Sequence, residues 1–131
     1  MPTPIIGTNA MSMHVKDINK ARQFYTNVVG LKEANFDAAQ KVAYFEVPNS
    51  PVLAVHEWSG FCMHGPMEGR PPGTVSGIIF HVNDTTQAAN DLKKKGATIS
   101  FGPEKTPMGT VIAAVKDPDG NEFVLSTRPG A

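Results

Sequence analysis

The sequence predicts an α+β domain built from two tandem β-α-β-β-β modules. Three observations point to it: an internal repeat, one helical segment among short apolar strand segments in each copy, and a Gly/Pro-rich join between the copies. Met13-His14-Val15-Lys16-Asp17 reads like Phe80-His81-Val82-Asn83-Asp84, an offset of 67 (81 − 14). The glycine after each helical stretch, Gly30 and then Gly96, recurs at 66 (96 − 30). Val47-Pro48-Asn49 sits like Asp117-Pro118-Asp119, at 70 (118 − 48).

Each element follows from local pattern. Residues 10–16 alternate, with Met11, Met13 and Val15 on one face, as a half-buried strand requires. Asp17 suits a helix N-cap, and Ile18, Ala21, Phe24, Tyr25 and Val28 then recur at helical spacing until Gly30 stops the run. Tyr25 is expected to pack the helix onto the sheet. Strands are expected near 32–37, 41–47 and 51–58. In the second copy Ile78, Phe80 and Val82 form the strand face, and Asp84 with Gln87 makes a capping-box pattern. Ala88, Leu92 and Lys95 trace the helix, Gly96 ends it, and strands near 97–101, 110–116 and 121–127 follow. One domain over 1–131 is expected, with module one at about 8–58, a linker at 59–75 and module two at about 76–128.

Composition excludes several function classes. The formal net charge is zero, so nothing argues for a nucleic-acid or membrane-surface partner. No apolar run approaches the roughly 20 residues of a membrane span, and the start of the chain lacks the pattern of a signal peptide. The single cysteine, Cys62, rules out an intramolecular disulfide framework and fits a reducing compartment. A cytoplasmic protein is expected. No phosphate loop, dinucleotide fingerprint, Cys-x-x-Cys or nucleophile elbow is present. Lys93-Lys94-Lys95 ends a helix, where cations complement the dipole.

Val15-Lys16-Asp17-Ile18, Ala21-Arg22-Gln23-Phe24-Tyr25 and Val29-Gly30-Leu31, with the closing Lys116-Asp117-Pro118-Asp119-Gly120-Asn121-Glu122-Phe123, give the chain a family likeness. It resembles the vicinal oxygen chelate superfamily of glyoxalases, bleomycin resistance proteins and extradiol dioxygenases. The resemblance implies a curled, cup-shaped mixed sheet and a homodimer in which both chains shape each cup. It also implies metal ligands at four places, namely seven residues before each helix-capping Asp and four after the glycine of each closing turn. Here those places hold Ala10, Gly77, Val124 and Ala54 (Leu53 if the first-module alignment slips by one). None has a side-chain donor, so no cofactor and no metal at the family position is expected.

Strand alternation then picks the cup-facing residues. From Ala10 it selects Ser12 and His14, from Gly77 Ile79 and His81, from Ala54 Val52, His56 and Trp58, and from Val124 Glu122 and Ser126. The candidate ligand-binding set is Ser12, His14, His56, Trp58, His81, Glu122 and Ser126, with His14, His56, His81 and Glu122 as catalytic candidates. An inward strand histidine is either a hydrogen-bonded structural residue or, with a pKa near 6.5, an acid–base group. Glu122 either faces the cup or is solvated beside its turn. Trp58 is either a stacking wall for a flat ligand or a plug beneath the linker. Phe61, Met63, His64 and Met67 make the linker either a lid or an ordinary connection; Cys62 has no activating neighbour set by sequence. Three functions stay open: a metal-free binder of a small, flat or aromatic molecule; an enzyme (lyase, isomerase or dioxygenase type) acting on a small carbonyl or aromatic compound through pocket histidines or a metal relocated onto them; and a scaffold without ligand.

Overall fold

A computed structural model of the chain describes residues 5, 8–58, 73, 75–107 and 109–127. The linker residues 59–72 and 74, and with them Phe61, Cys62, Met63, His64 and Met67, lie outside the described residues.

Module one opens with β1 (Ala10–Val15), which buries Met13 and Val15. Helix α1 (Ile18–Gln23) follows, capped by the Asp17 carboxylate, which accepts from the N–H groups of Asn19 and Lys20. A π-helical turn over Phe24–Val28 continues it, with the Val29 N–H donating to the Phe24 carbonyl at 3.0 Å. A π turn closes around one residue more than an α turn. That extra residue accounts for the fall in repeat offset from 67 to 66, since Asp17 to Gly30 spans 13 residues (30 − 17) and Asp84 to Gly96 only 12 (96 − 84). In the turn, the sequence neighbours Phe24 and Tyr25 are both buried. Then come β2 (Lys32–Asp37), β3 (Val42–Glu46) and β4 (Val52–Glu57), in sheet order β1-β4-β3-β2 with β1 parallel to β4.

Module two repeats the plan with β5 (Val75–His81), α2 (Thr85–Lys94), β6 (Thr98–Lys105), β7 (Val111–Lys116) and β8 (Glu122–Ser126), in order β5-β8-β7-β6. Asp84 accepts from the Gln87 N–H, but the Gln87 amide donates forward to Asp91 at 2.9 Å, so only half of the expected capping box forms. Gly96, at φ +98, ends the helix. Strand β6 runs beyond the expected 101, because Gly102 at φ +75 absorbs a register break and pairing resumes at Glu104↔Ile112. A side chain at 102 would collide with the Ile112 carbonyl. The Gly102-Pro103 pair is a kink inside the strand.

The register shows the repeat directly: His14 opposes His56 in β1–β4, and His81 opposes Ser126 in β5–β8 (14 + 67, 56 + 70). The two sheets are separate ladders that meet where β1 lies beside β5. One face of each packs into a single core that joins Val15, Tyr25 and Phe45 of module one to Leu92, Val115 and Phe123 of module two. The other faces are those that the family resemblance makes the walls of the cup.

A polar strut also joins the modules. The buried Asp117 carboxylate accepts from the Tyr25 hydroxyl at 2.8 Å, from the N–H groups of Asp119 and Asn121, and from the Asn121 amide at 3.0 Å. The same amide donates to the His14 carbonyl at 2.7 Å, and Asp119 accepts from the Lys16 N–H. Burial first, then the charge and hydrogen bond of Asp117, holds the Tyr25 hydroxyl well above the ordinary phenol range.

Candidate functional site

Directly opposed residues of a ladder share a face, so the register lists the cup row by row. In module one Ser12 opposes Ala54, Ala54 opposes Tyr44, and Tyr44 opposes Asn35. The equivalent row of module two is Ile79, Val124, Ala114 and Phe101. Three of the four residues in the first row carry a polar group; none in the second does. Ile79 is 65% exposed and Phe101 48%, so this second wall presents apolar surface to whatever enters.

The next row holds the histidines. His14 and His56 are 6% and 3% exposed, with ring centroids 5.6 Å apart and planes at 42°, beside the buried Val42 that opposes His56. Their equivalents are the exposed His81 and the half-buried Ser126, whose hydroxyl donates to the Thr127 carbonyl. The structure thus brings together His14 and His56, with Ser12 one row away, and places His81, Ser126 and Glu122 on the other wall. Trp58 follows β4, its N–H donating to the Val15 carbonyl at 2.7 Å and its side chain 37% exposed. Glu122 is half-buried and accepts from the Ser100 hydroxyl at 3.3 Å.

Alternation fails in β5, as it does at the bulges of β2 and β6. The β5–β8 register shifts between Val75 and Ile79, around Gly77 at φ +76, so Glu122 opposes Val75 rather than Gly77. Tyr44, Asn35 and Phe101 belong to the cup and were not among the expected residues. The 70-residue offset that relates Ala54 to Val124 also relates Tyr44 to Ala114 (44 + 70), so their shared row was accessible from the repeat.

The donor set does not fit the metal of the family's metal-dependent members. Leu53 lies in the core, which settles Ala54 as the cup-facing residue of that pair. Ala10, Ala54, Gly77 and Val124 offer no ligand atoms from their side chains. Among the described residues no three His, Cys, Asp or Glu side chains gather into a group able to hold a metal ion, His14, His56 and His81 included. No helix among them is long and apolar enough to cross a membrane.

The family model described as Glyoxalase/Bleomycin resistance protein/Dioxygenase superfamily matches residues 7–125. A superfamily member from Sphaerobacter thermophilus DSM 20745 shares 28% identity at a TM-score of 0.78, covering 95% of this chain and 98% of that one. TnmS3, an antibiotic binding protein from Streptomyces sp. CB03234, shares 24% at 0.78, covering 96% and 98%. Lactoylglutathione lyase from Agrobacterium tumefaciens shares 16% at 0.71, covering 95% and 96%. No curated protein matches the chain.

Proposed function

The chain belongs to the glyoxalase/bleomycin resistance protein/dioxygenase superfamily, and from that premise we propose that it binds a small, flat organic molecule in its cup without a metal. The observation that carries the proposal is the inequality of the two walls. An apolar row of Ile79, Val124, Ala114 and Phe101 suits the face of an aromatic ring, and Ser12, Tyr44 and Asn35 suit its polar substituents. Small residues at the usual ligand positions leave room between them. The fold shared with an antibiotic binding protein agrees with this reading.

Trp58 is the only tryptophan, and strand alternation from Ala54 assigns it to the cup face, so its emission should report on occupancy there. Titration with 2-naphthol and hydroxylated flavonoids should give a saturable change in that emission, unaltered by EDTA and weakened about tenfold by Phe101→Ala, the change expected for about 1.4 kcal/mol of lost contact. Absence of saturable binding, or binding that EDTA abolishes, would overturn the proposal. We extend it to a cytoplasmic homodimer whose exposed strands are covered by the partner. The same preparation should sediment at about twice 14.0 kDa at micromolar concentration, and a 14.0 kDa species there refutes the dimer.

The buried His14–His56 pair favours a second reading, an enzyme moving a proton on a small carbonyl compound. Turnover by metal-free protein that His56→Ala removes would put this reading in place of the first.

A further inference from the structure

The strut that joins module two to module one has an equivalent place on the other side of the molecule. Adding the repeat offsets carries Tyr25 to Leu92 (25 + 67) and carries Asp117 and Asn121 back to Val47 and Pro51 (117 − 70, 121 − 70). A hydroxyl, a carboxylate and an amide are thus replaced by three apolar groups, two of them smaller. Where the strut would stand there is a cavity of about 640 Å3 between the Val47–Ser50 turn, the end of the π turn, β5 and α2. Its walls include Met11, Leu31, Phe80, Ala88, Leu92 and Leu125. Val47, Pro48 and Ser50 also border a shallower neighbouring depression that opens onto the surface beside Gly30 and Lys32.

We propose that this cavity is a second binding site, lined mainly from the core side of β5 and sharing only Ile79 and His81 with the cup wall, for an uncharged apolar organic molecule carrying one hydrogen-bonding head group. The volume lies within the ~300–1,000 Å3 range of small-molecule sites, and apolar walls with few polar groups at the mouth are their usual make-up. The mouth carries His81, Asn49 and Ser50 together with one acid, Asp91, and one base, Lys95. The Asp91 carboxylate already accepts from Gln87, and the two charges balance, so the mouth favours neither an anion nor a cation. A neutral molecule therefore buries its apolar body against Leu92 and Phe80 and leaves its head group at His81 or Ser50.

Two probes of one shape separate this from the alternatives: biphenyl-4-methanol and biphenyl-4-carboxylate, followed by methyl NMR of the intact chain. The alcohol should move the Met11, Ala88 and Leu92 methyl signals saturably, leave those of Ala54, Ala114 and Val124 in the cup unmoved, and bind at least tenfold tighter than the carboxylate. Ala88→Phe, which fills the cavity from α2, and Val47→Phe, which fills it from the turn, should each remove those shifts in folded protein. Should one variant fail to fold, the other decides. The proposal is overturned if the parent's junction methyls stay still, if they move on dilution without probe because a second copy occupies the space, if the carboxylate binds as well as the alcohol, or if a folded filled variant binds as the parent does. Movement confined to the cup methyls refutes this site and leaves the cup reading intact.

Discussion

Two junctions hold the modules together, and a strict repeat would make them alike. At one, Tyr25, Asp117 and Asn121 exchange hydrogen bonds in a buried network that ends on the His14 carbonyl. At the other, Leu92, Val47 and Pro51 occupy the same repeat positions, and Leu92 and Val47 line a cavity. A buried polar network is directional, so one suffices to set the angle and register of two modules. An apolar contact is tolerant of geometry and can be eroded without leaving any polar group unsatisfied. The difference shows how a repeat can keep one junction for rigidity and release the other as space. The cup shows the same divergence, with polar side chains along one wall and apolar ones along its equivalent.

The comparison breaks first at Asp117. Replacing it by Ala removes the acceptor for Tyr25, Asp119 and Asn121 together, and unfolding by urea should show a loss of about 3 kcal/mol, with several buried donors stranded. The equivalent change, Val47→Ala at a half-buried site, should cost about 1 kcal/mol or less. Equal losses would mean that the strut does not carry the junction.

Tyr25→Phe tests one bond of the strut and adds a pH signature. At pH 7 the loss should be about 1 kcal/mol, because Asp117 keeps its other donors. The folded-state pKa of Tyr25 is raised, so the native protein holds the phenol proton more tightly than the unfolded chain does. Its contribution is present in full below the unfolded value of about 10 and is lost as pH climbs from there towards the folded one. The variant lacks that slope, so its deficit should shrink above pH 10. A deficit that stays constant to pH 12 would show that the hydroxyl is not held as the structure places it.

Much of this was legible in the residues. Local pattern located both helices and all eight strands, and alternation put His14, His56 and His81 on the face away from the core because each strand buries its odd or even residues against it. The drop from 67 to 66 even marked the π turn, though its meaning needs the structure, since a one-residue difference is equally a loop insertion in sequence. Three things were not legible. The continuation of β6 past Gly102-Pro103 depends on a partner strand that accepts the kink. The shift at Gly77 depends on the β8 register, which local pattern cannot report. The strut joins residues 92 positions apart, and Tyr25 read as a packing residue because its ring does pack; only its hydroxyl reaches Asp117.

The smallest expected effect concerns how each helix is tied to its own sheet. In module one Arg22 pairs with Glu33, the shorter of two contacts at 2.6 Å, and its guanidinium lies 3.7 Å over the Phe36 ring. The offsets place Ala89 and Ile99 at the equivalent positions of module two (22 + 67, 33 + 66), so there the tie is apolar. The hydrogen bond from Arg22, joined by its charge, holds the Glu33 carboxyl below the ordinary carboxylate range despite partial burial. A depressed folded-state pKa contributes stability that is present above the unfolded value and lost as pH falls through the folded one. Both side chains keep about a quarter to a third of their surface in water (25% and 32%), so screening limits the pair. Glu33→Gln should therefore cost only about 0.5 kcal/mol at pH 7 and less at pH 2, because the contribution of a depressed carboxyl is lost as pH falls below the unfolded value of about 4.3. Urea titrations of parent and variant at the two pH values measure the difference directly. If the variant's deficit persists undiminished at pH 2, Glu33 acts through packing against the helix, and the two modules are tied in the same way after all.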